Sequence, residues 1–196
     1  RPPRLLISAS AVGYYGSRGD EMLTESELPG QYFLANLCVA WESSAAAASS
    51  EGIRVVLPRI GLVLGRGGGA LSRMLGPFKW GLGGRLGNGR QWMPWIHISD
   101  LVQLFLFLES HETLSGPVNA TTPQPVTNAD FTAALGRALH RPTVIPVPES
   151  LLGLALGEFA DVLLASQRVM PSVASRAGFE FQFGRLEVAL KQILAA

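Results

Sequence analysis

Apolar and polar positions alternate along this chain in blocks that read in turn as strand, loop and helix. Arg4–Ser10 (RLLISAS) is a short apolar run ending in small residues, the pattern of a strand buried in a parallel sheet. A polar loop rich in Gly, Asp and Glu follows. Gln31–Ser49 then reads as a helix with Phe33, Leu37, Trp41 and Ala45 as its apolar face and Gly52 as its stop. Ile53–Leu57 is β-branched and apolar, a second buried strand, and Leu62–Leu64 continues extended beyond Pro58. Gly67–Gly69 breaks the chain before a short helix over Ala70–Phe78. Gly81, Gly83, Gly84, Gly87 and Gly89 mark a looped segment with room for a short strand. Ser99 or Asp100 can cap the next helix, Leu101–Glu109, which is apolar nearly all round. Gly116–Ala120 is a third strand, Thr127 caps a helix Asn128–His140, Val144–Val147 reads as a small strand, and the remainder reads as helical. This order predicts the α/β class, a doubly wound parallel sheet. Beyond Pro142 helices dominate, which points to a smaller, mostly helical C-terminal lobe.

Composition narrows the function classes. With 196 residues, 47% hydrophobic and 16% charged, the chain can bury a substantial core and is not of a disordered type. Sixteen basic against fifteen acidic residues leave a net charge of +1, and no basic stripe marks a nucleic-acid surface. The greasiest runs, Leu101–Leu108 and Leu151–Ala165, fall short of the about twenty apolar residues that span a bilayer. Cys38 is the single cysteine, so neither an internal disulfide nor a cysteine-rich zinc site can form. A cytoplasmic or organelle-matrix protein is expected.

Three segments could carry chemistry. The strand end Ile7–Gly16 (ISASAVGYYG) would place small hydroxyl residues and two tyrosines at the carboxyl edge of a parallel sheet, where doubly wound folds bind ligands. The competing reading is a tight turn whose serines satisfy backbone groups. Leu57–Gly65 is another strand end with a glycine turn. The Gly65–Gly69 run beyond it reads equally as a phosphate cradle or as a mobile loop, and it does not match the P-loop pattern. In Trp92–Asp100, His97 is either an acid–base group or a buried hydrogen-bonding residue. No Gly-x-Ser-x-Gly elbow exists, and the histidines at 97, 111 and 140 make no metal-binding pattern, which sets hydrolase and metalloenzyme readings aside.

The segments SASAVGYYG, FLANLCVAWE, PRIGLVLGRGGGAL, GNGRQWMPWIHISDLV, NATTPQPVTNADF and VALKQIL occur together in this order. In that combination the whole chain resembles the extended and atypical short-chain dehydrogenase/reductases, more narrowly epimerase family proteins of the YfcH and SDR39U1 type. The resemblance implies a Rossmann-like domain that binds NADP(H), with residues 1–120 as its C-terminal half and residues 121–196 as a substrate lobe. It places Ser10 at the superfamily's catalytic Ser or Thr position and Ser8, Ala9, Pro58, Arg59, Ile60 and Val63 at the cofactor, and Tyr14 is the nearest phenol that could stand in as the catalytic proton donor. Tyr15, Trp95 and His97 would face a small-molecule substrate, no metal is expected, and a homodimer is compatible with the family.

Two departures from the family pattern stand out. The superfamily pairs a proton-transferring Tyr with a Lys four residues on, but the only lysines, Lys79 and Lys191, follow Leu75 and Glu187 at that spacing. Aligned on Glu42, the two positions fall at Leu34 and Cys38. The place of the diphosphate-binding Arg of sugar-nucleotide epimerases is taken by Met93, although Arg90 is close. In addition, the chain opens at what resembles the strand before the family's Ser loop. Three βα units carrying the dinucleotide fingerprint, roughly 100 residues, are expected to precede it, and without them residues 1–196 should bind NADP(H) poorly. Two functions are consistent with this: an NADP-dependent oxidoreductase or epimerase-like enzyme without Tyr-x-x-x-Lys, or a catalytically silent NADP-binding sensor or scaffold.

Overall fold

The computed structural model describes residues 3–157 and 159–195. In chain order its elements are β1 (Leu5–Ile7), β2 (Ser10–Ala11), β3 (Met22–Leu23), α1 (Phe33–Ala46), β4 (Arg54–Ile60), β5 (Leu62–Leu64), α2 (Gly69–Lys79), β6 (Trp92–Met93), β7 (Trp95–His97), α3 (Ile98–Ser110), β8 (Gly116–Ala120), β9 (Val126–Thr127), α4 (Asn128–Leu139), α5 (Glu149–Leu156), α6 (Phe159–Leu164), β10 (Arg168–Val169), α7 (Ser172–Arg176) and α8 (Leu186–Leu194). The chain is α/β, as expected.

The main sheet is parallel and centred on β4. β1 and then β2 pair along one side of β4, and β8 pairs along the other. β1 and β2 are separate because the run Arg4–Ser10 leaves the ladder at Ser8–Ala9 and rejoins it at Ser10. Successive strand residues face opposite ways. Val56, Val118 and Ala120 therefore form a dry layer with Leu104 and Leu108 of α3 and with Ala174 and Phe179. The opposite face, carrying Arg59, lies under α1. A second core joins Leu64, Leu71, Trp95, Phe131, Leu135 and Leu190 of β5, α2, β7, α4 and α8. Between the two, Gly61 lets β4 pass close to the next layer: a Cβ there would stand 2.6 Å from the Pro94 carbonyl oxygen.

Several expectations change. Helix α1 does turn inward, but on the strip Ala35, Cys38 and Glu42; Phe33, Leu37 and Trp41 are exposed. Periodicity alone chose the greasier face, whereas packing selected the strip that pairs with the sheet's charged residue. Asp100 does not cap α3. His97 does, its Nδ1 accepting the Ser99 N–H at 3.1 Å, and Val102 and Leu106 of this helix stay exposed. Val144–Val147 forms only a single bridge, Leu86 to Val147. The stretch expected to be wholly helical contains β10, and its residues Glu158 and Ala196 lie outside those described. The Thr127 cap is present in full: its hydroxyl accepts the Asp130 N–H at 3.2 Å, and the Asp130 carboxylate accepts from the Thr127 hydroxyl at 2.6 Å and, more weakly, from the Thr127 N–H at 3.4 Å.

Candidate functional site

At the carboxyl end of the main sheet, the register aligns Ser10 with Arg59 and Arg59 with Asn119. Residues paired across a sheet share a face, so the parallel ladder lays a serine, an arginine and an asparagine in one polar row. The row is closed to solvent: Arg59 is 3% exposed and Asn119 0%. A guanidinium cannot be buried at that depth without an acceptor fork. Helix α1 supplies it through Glu42, which receives Arg59 Nε at 2.9 Å and Nη2 at 2.8 Å. The same carboxylate takes the Ser10 hydroxyl proton at 2.7 Å.

The turn after β2 completes the network. Arg59 Nη1 donates to the Tyr15 hydroxyl at 2.9 Å, and that hydroxyl donates to Asn119 Oδ1 at 2.6 Å. Asn119 Nδ2 passes the chain on to the Met170 carbonyl at 2.9 Å. From the loop, Glu25 Oε1 accepts the backbone N–H groups of Asn119 at 3.0 Å and Val173 at 3.1 Å, while its buried Oε2 has no partner among the described residues. Burial pushes the Tyr15 phenol up to about 12, against the opposing pull of Arg59 and Asn119. Burial works against the Arg59 charge, yet its bonds to Glu42 and Tyr15 hold it above its ordinary value. The Arg59 charge is therefore matched by Glu42 and held in place by Tyr15, which makes the row a rigid floor.

On this floor sits Tyr14. It is half-buried, it meets Tyr15 edge to face at 5.3 Å, and the Arg59 guanidinium carbon lies 3.4 Å from its ring centroid. Such a desolvated cation–π contact contributes on the order of 2 kcal/mol and fixes the ring. The Tyr14 phenol oxygen takes no part in the buried network. Of the other cofactor candidates, Ser8 is half-buried, Ala9 is exposed, Pro58 and Arg59 are buried, and the half-buried Ile60 and Val63 pack against the layer of Val56 and Leu104.

The remaining site candidates lie elsewhere. Tyr15, Trp95 and His97 are at most 1% exposed, so none of them lines an open cleft in this structure. Trp95 belongs to the second core. His97 caps α3 through Nδ1, meets Gln192 Oε1 at 3.0 Å through Nε2 and stacks on Phe183 at 4.0 Å. Asp100 accepts the backbone N–H groups of Gln182 and Phe183, each at 3.0 Å, and so ties the C-terminal segment to α3. At the positions aligned with the missing pair, Leu34 packs over Gly13, and Cys38 is buried with Sγ 3.8 Å from the Ala11 carbonyl. Sequence reasoning missed Glu42, Glu25 and Asn119. A Glu on the inner face of α1, able to answer the buried Arg59, was the one signal available for the first.

Among the described residues no group of three His, Cys, Asp or Glu could hold a metal ion, and no helix is long and apolar enough to cross a membrane.

Comparison with known proteins gives a consistent picture. Residues 1–120 match the profile of the NAD dependent epimerase/dehydratase family, and residues 147–193 match a domain of unknown function, DUF1731. The chain is 49% identical over 188 residues to Epimerase family protein ML0860 of Mycobacterium leprae, covering 95% of this chain and 61% of the relative. It is 42% identical to the chloroplastic Epimerase family protein SDR39U1 homolog of Arabidopsis thaliana, covering 98% of this chain and 55% of the relative. The chain thus spans less than two thirds of these relatives. Among solved structures, human epimerase family protein SDR39U1 (isoform 2) with NADPH superposes with a TM-score of 0.93 at 35% identity, over 99% of this chain and 66% of that one. A nucleoside-diphosphate sugar epimerase from Corynebacterium glutamicum superposes with a TM-score of 0.80 at 36% identity, over 97% of this chain and 37% of that one.

Proposed function

Because the chain belongs to the NAD dependent epimerase/dehydratase family, we propose that it forms the nicotinamide side of an NADP(H)-dependent oxidoreductase or epimerase-like site that works without Tyr-x-x-x-Lys. The observation that carries the reading is the buried row Ser10–Arg59–Asn119, locked by Glu42 and Tyr15 beneath the Tyr14 ring at the carboxyl edge of a parallel sheet. The NADPH in the human SDR39U1 structure supports the choice of cofactor.

The residues at that edge suit a flat, weakly polar ring. Ala9, Ile60 and Val63 offer small or apolar surface, and Ser8 offers a hydroxyl for an amide group. These four would hold the nicotinamide end, with Pro58 and Arg59 buried in the strand beside them. When bound, NADP(H) supplies or accepts hydride. The protein contributes position and proton: Ser10, its hydrogen held by Glu42, would accept from the alcohol partner of a small-molecule substrate couple, and Tyr14 is the phenol available to exchange a proton with the carbonyl partner. Arg59 fixes both by holding Glu42 and the Tyr14 ring.

The intact protein is incubated with NADPH and a panel of aldehydes and ketones, and loss of NADPH absorbance is followed. Turnover should fall at least about 100-fold in Tyr14→Phe and drop in Ser10→Ala, with NADPH affinity retained. Turnover unaffected by either change removes both residues from the chemistry. A second reading, a catalytically silent NADP(H) sensor, rests on Leu34 and Cys38 standing where the family pattern has Tyr and Lys. NADPH binding with no turnover on any carbonyl supports that reading, and absence of NADPH binding overturns both.

A further inference from the structure

We infer that Arg168 is the receptor for an anionic group of the substrate, a carboxylate or a phosphate. β10 pairs in parallel with β3, Arg168 opposite Met22 and Val169 opposite Leu23. Val169 and Leu23 are fully buried, so alternation turns Arg168 and Met22 the other way, and Met22 is 57% exposed. The Arg168 guanidinium carbon lies 4.6 Å from the centre of the Trp92 ring. Its Nε is buried and has no hydrogen-bond partner among the described residues, and Arg168 makes no ion pair among them.

That combination differs from the one at Arg59. Arg59 has its acceptor fork in Glu42, whereas Arg168 has a cation–π contact with Trp92 and, among the described residues, no hydrogen-bond acceptor. A donor withheld from water without an acceptor is costly, and a guanidinium edge matches the two oxygens of a carboxylate or phosphate. Asp20, whose carboxylate is engaged by Trp92 Nε1 at 2.7 Å, makes no ion pair with Arg168.

Arg168 lies in a segment that hydrogen bonds of neighbouring residues tie to the loop that bears Tyr14. Its neighbour Gln167 donates from Nε2 to the Val12 carbonyl at 3.0 Å and from its backbone N–H to the Trp92 carbonyl at 3.1 Å. Ser166 receives the Trp92 N–H at 3.1 Å and donates its hydroxyl to the Gly19 carbonyl at 2.7 Å. The segment carrying Arg168 is thus fastened to both ends of the loop that bears Tyr14. The inference rests on the reading of that loop as the substrate side of the site, and it adds the charge of the substrate.

The test uses intact protein labelled with 15N-arginine, saturated with NADPH and titrated at constant ionic strength with inorganic phosphate in one arm and acetate in the other. The Nε–H resonance of Arg168, identified by its loss in Arg168→Lys, is followed together with the Trp92 indole resonance. A saturable shift is expected in one arm, phosphate pointing to a phosphorylated substrate and acetate to a carboxylate. Arg168→Gln should weaken that binding at least about tenfold, with Arg168→Lys falling between. Non-saturating shifts in both arms, or an affinity in Arg168→Gln within about twofold of the parent, would overturn it. Arg168→Met keeps the apolar stem against Trp92, and its urea midpoint separates loss of binding from loss of fold. NADPH affinity is measured on the same samples. NADPH binding without anion binding sinks the Arg168 assignment alone, whereas anion binding without NADPH binding upholds it and sinks the cofactor reading.

Discussion

Removing the Glu42 carboxylate should destabilise the protein far more than an ordinary ion pair would. In Glu42→Ala the Arg59 guanidinium stays buried, 3% exposed, and loses two hydrogen bonds of 2.9 and 2.8 Å, while Ser10 loses its acceptor at 2.7 Å. Breaking one side of such a buried pair costs about 3–5 kcal/mol, against 0–1 kcal/mol for an exposed pair. With total stabilities of about 5–15 kcal/mol, that is a large share of the fold's margin. Urea unfolding of the intact protein, followed by circular dichroism, gives the midpoint and slope for the parent, Glu42→Ala and the double variant Glu42→Leu/Arg59→Met. The single variant should lose about 3–5 kcal/mol at unchanged slope. The double variant should recover at least about half of it, because no charge is left uncompensated. A loss under about 1 kcal/mol in Glu42→Ala would show that water reaches Arg59, and the rigid-floor account of the site would fail.

Two further effects follow from the same geometry. Tyr15, raised from 10.0 to about 12 by burial, keeps its proton in the fold at pH values where the unfolded chain has lost it. Its contribution is therefore complete below pH 10 and is lost between pH 10 and 12, by about 3 kcal/mol in all. The stability difference between the parent and Tyr15→Phe should be flat up to pH 10 and shrink above it, and a difference that grows with pH would contradict the assignment. Asp100→Ala leaves the N–H groups of Gln182 and Phe183 without their acceptor. It should cost about 2–4 kcal/mol and speed hydrogen exchange at these two amides, and unchanged protection there would refute the tether.

Local features were legible in the sequence because they depend on neighbours a few residues apart. The strand at Gly116–Ala120, the Thr127 capping box and the Gly52 helix stop are of this kind. The polar row was not legible, because it depends on register. Nothing in the segments around Ser10, Arg59 and Asn119 says that β2, β4 and β8 bring these three side by side. Helix α1 shows the same limit from the other direction. Its apolar spacing favoured Phe33, Leu37 and Trp41, but the helix is oriented by Ala35, Cys38 and Glu42, since a buried arginine required a carboxylate. Tyr15 and Arg59 were expected to wall ligands. Both side chains are buried, with their hydrogen-bonding groups engaged by Asn119 and Glu42. Tyr14 and Ser10 keep their place at the sheet edge, a position that followed from the strand ending alone.

The bond from Ser10 to Glu42 also sets a polarity for whatever lies against it. A serine hydroxyl has one hydrogen, and a carboxylate already gripped by Arg59 can only accept it. What Ser10 can show to a ligand is an oxygen lone pair. A carbonyl oxygen placed there would face lone pair against lone pair, while an alcohol would bring the missing hydrogen. In the proposed site the serine would therefore favour the reduced partner of a carbonyl–alcohol couple, and Tyr14 would be the group to meet the oxidised one.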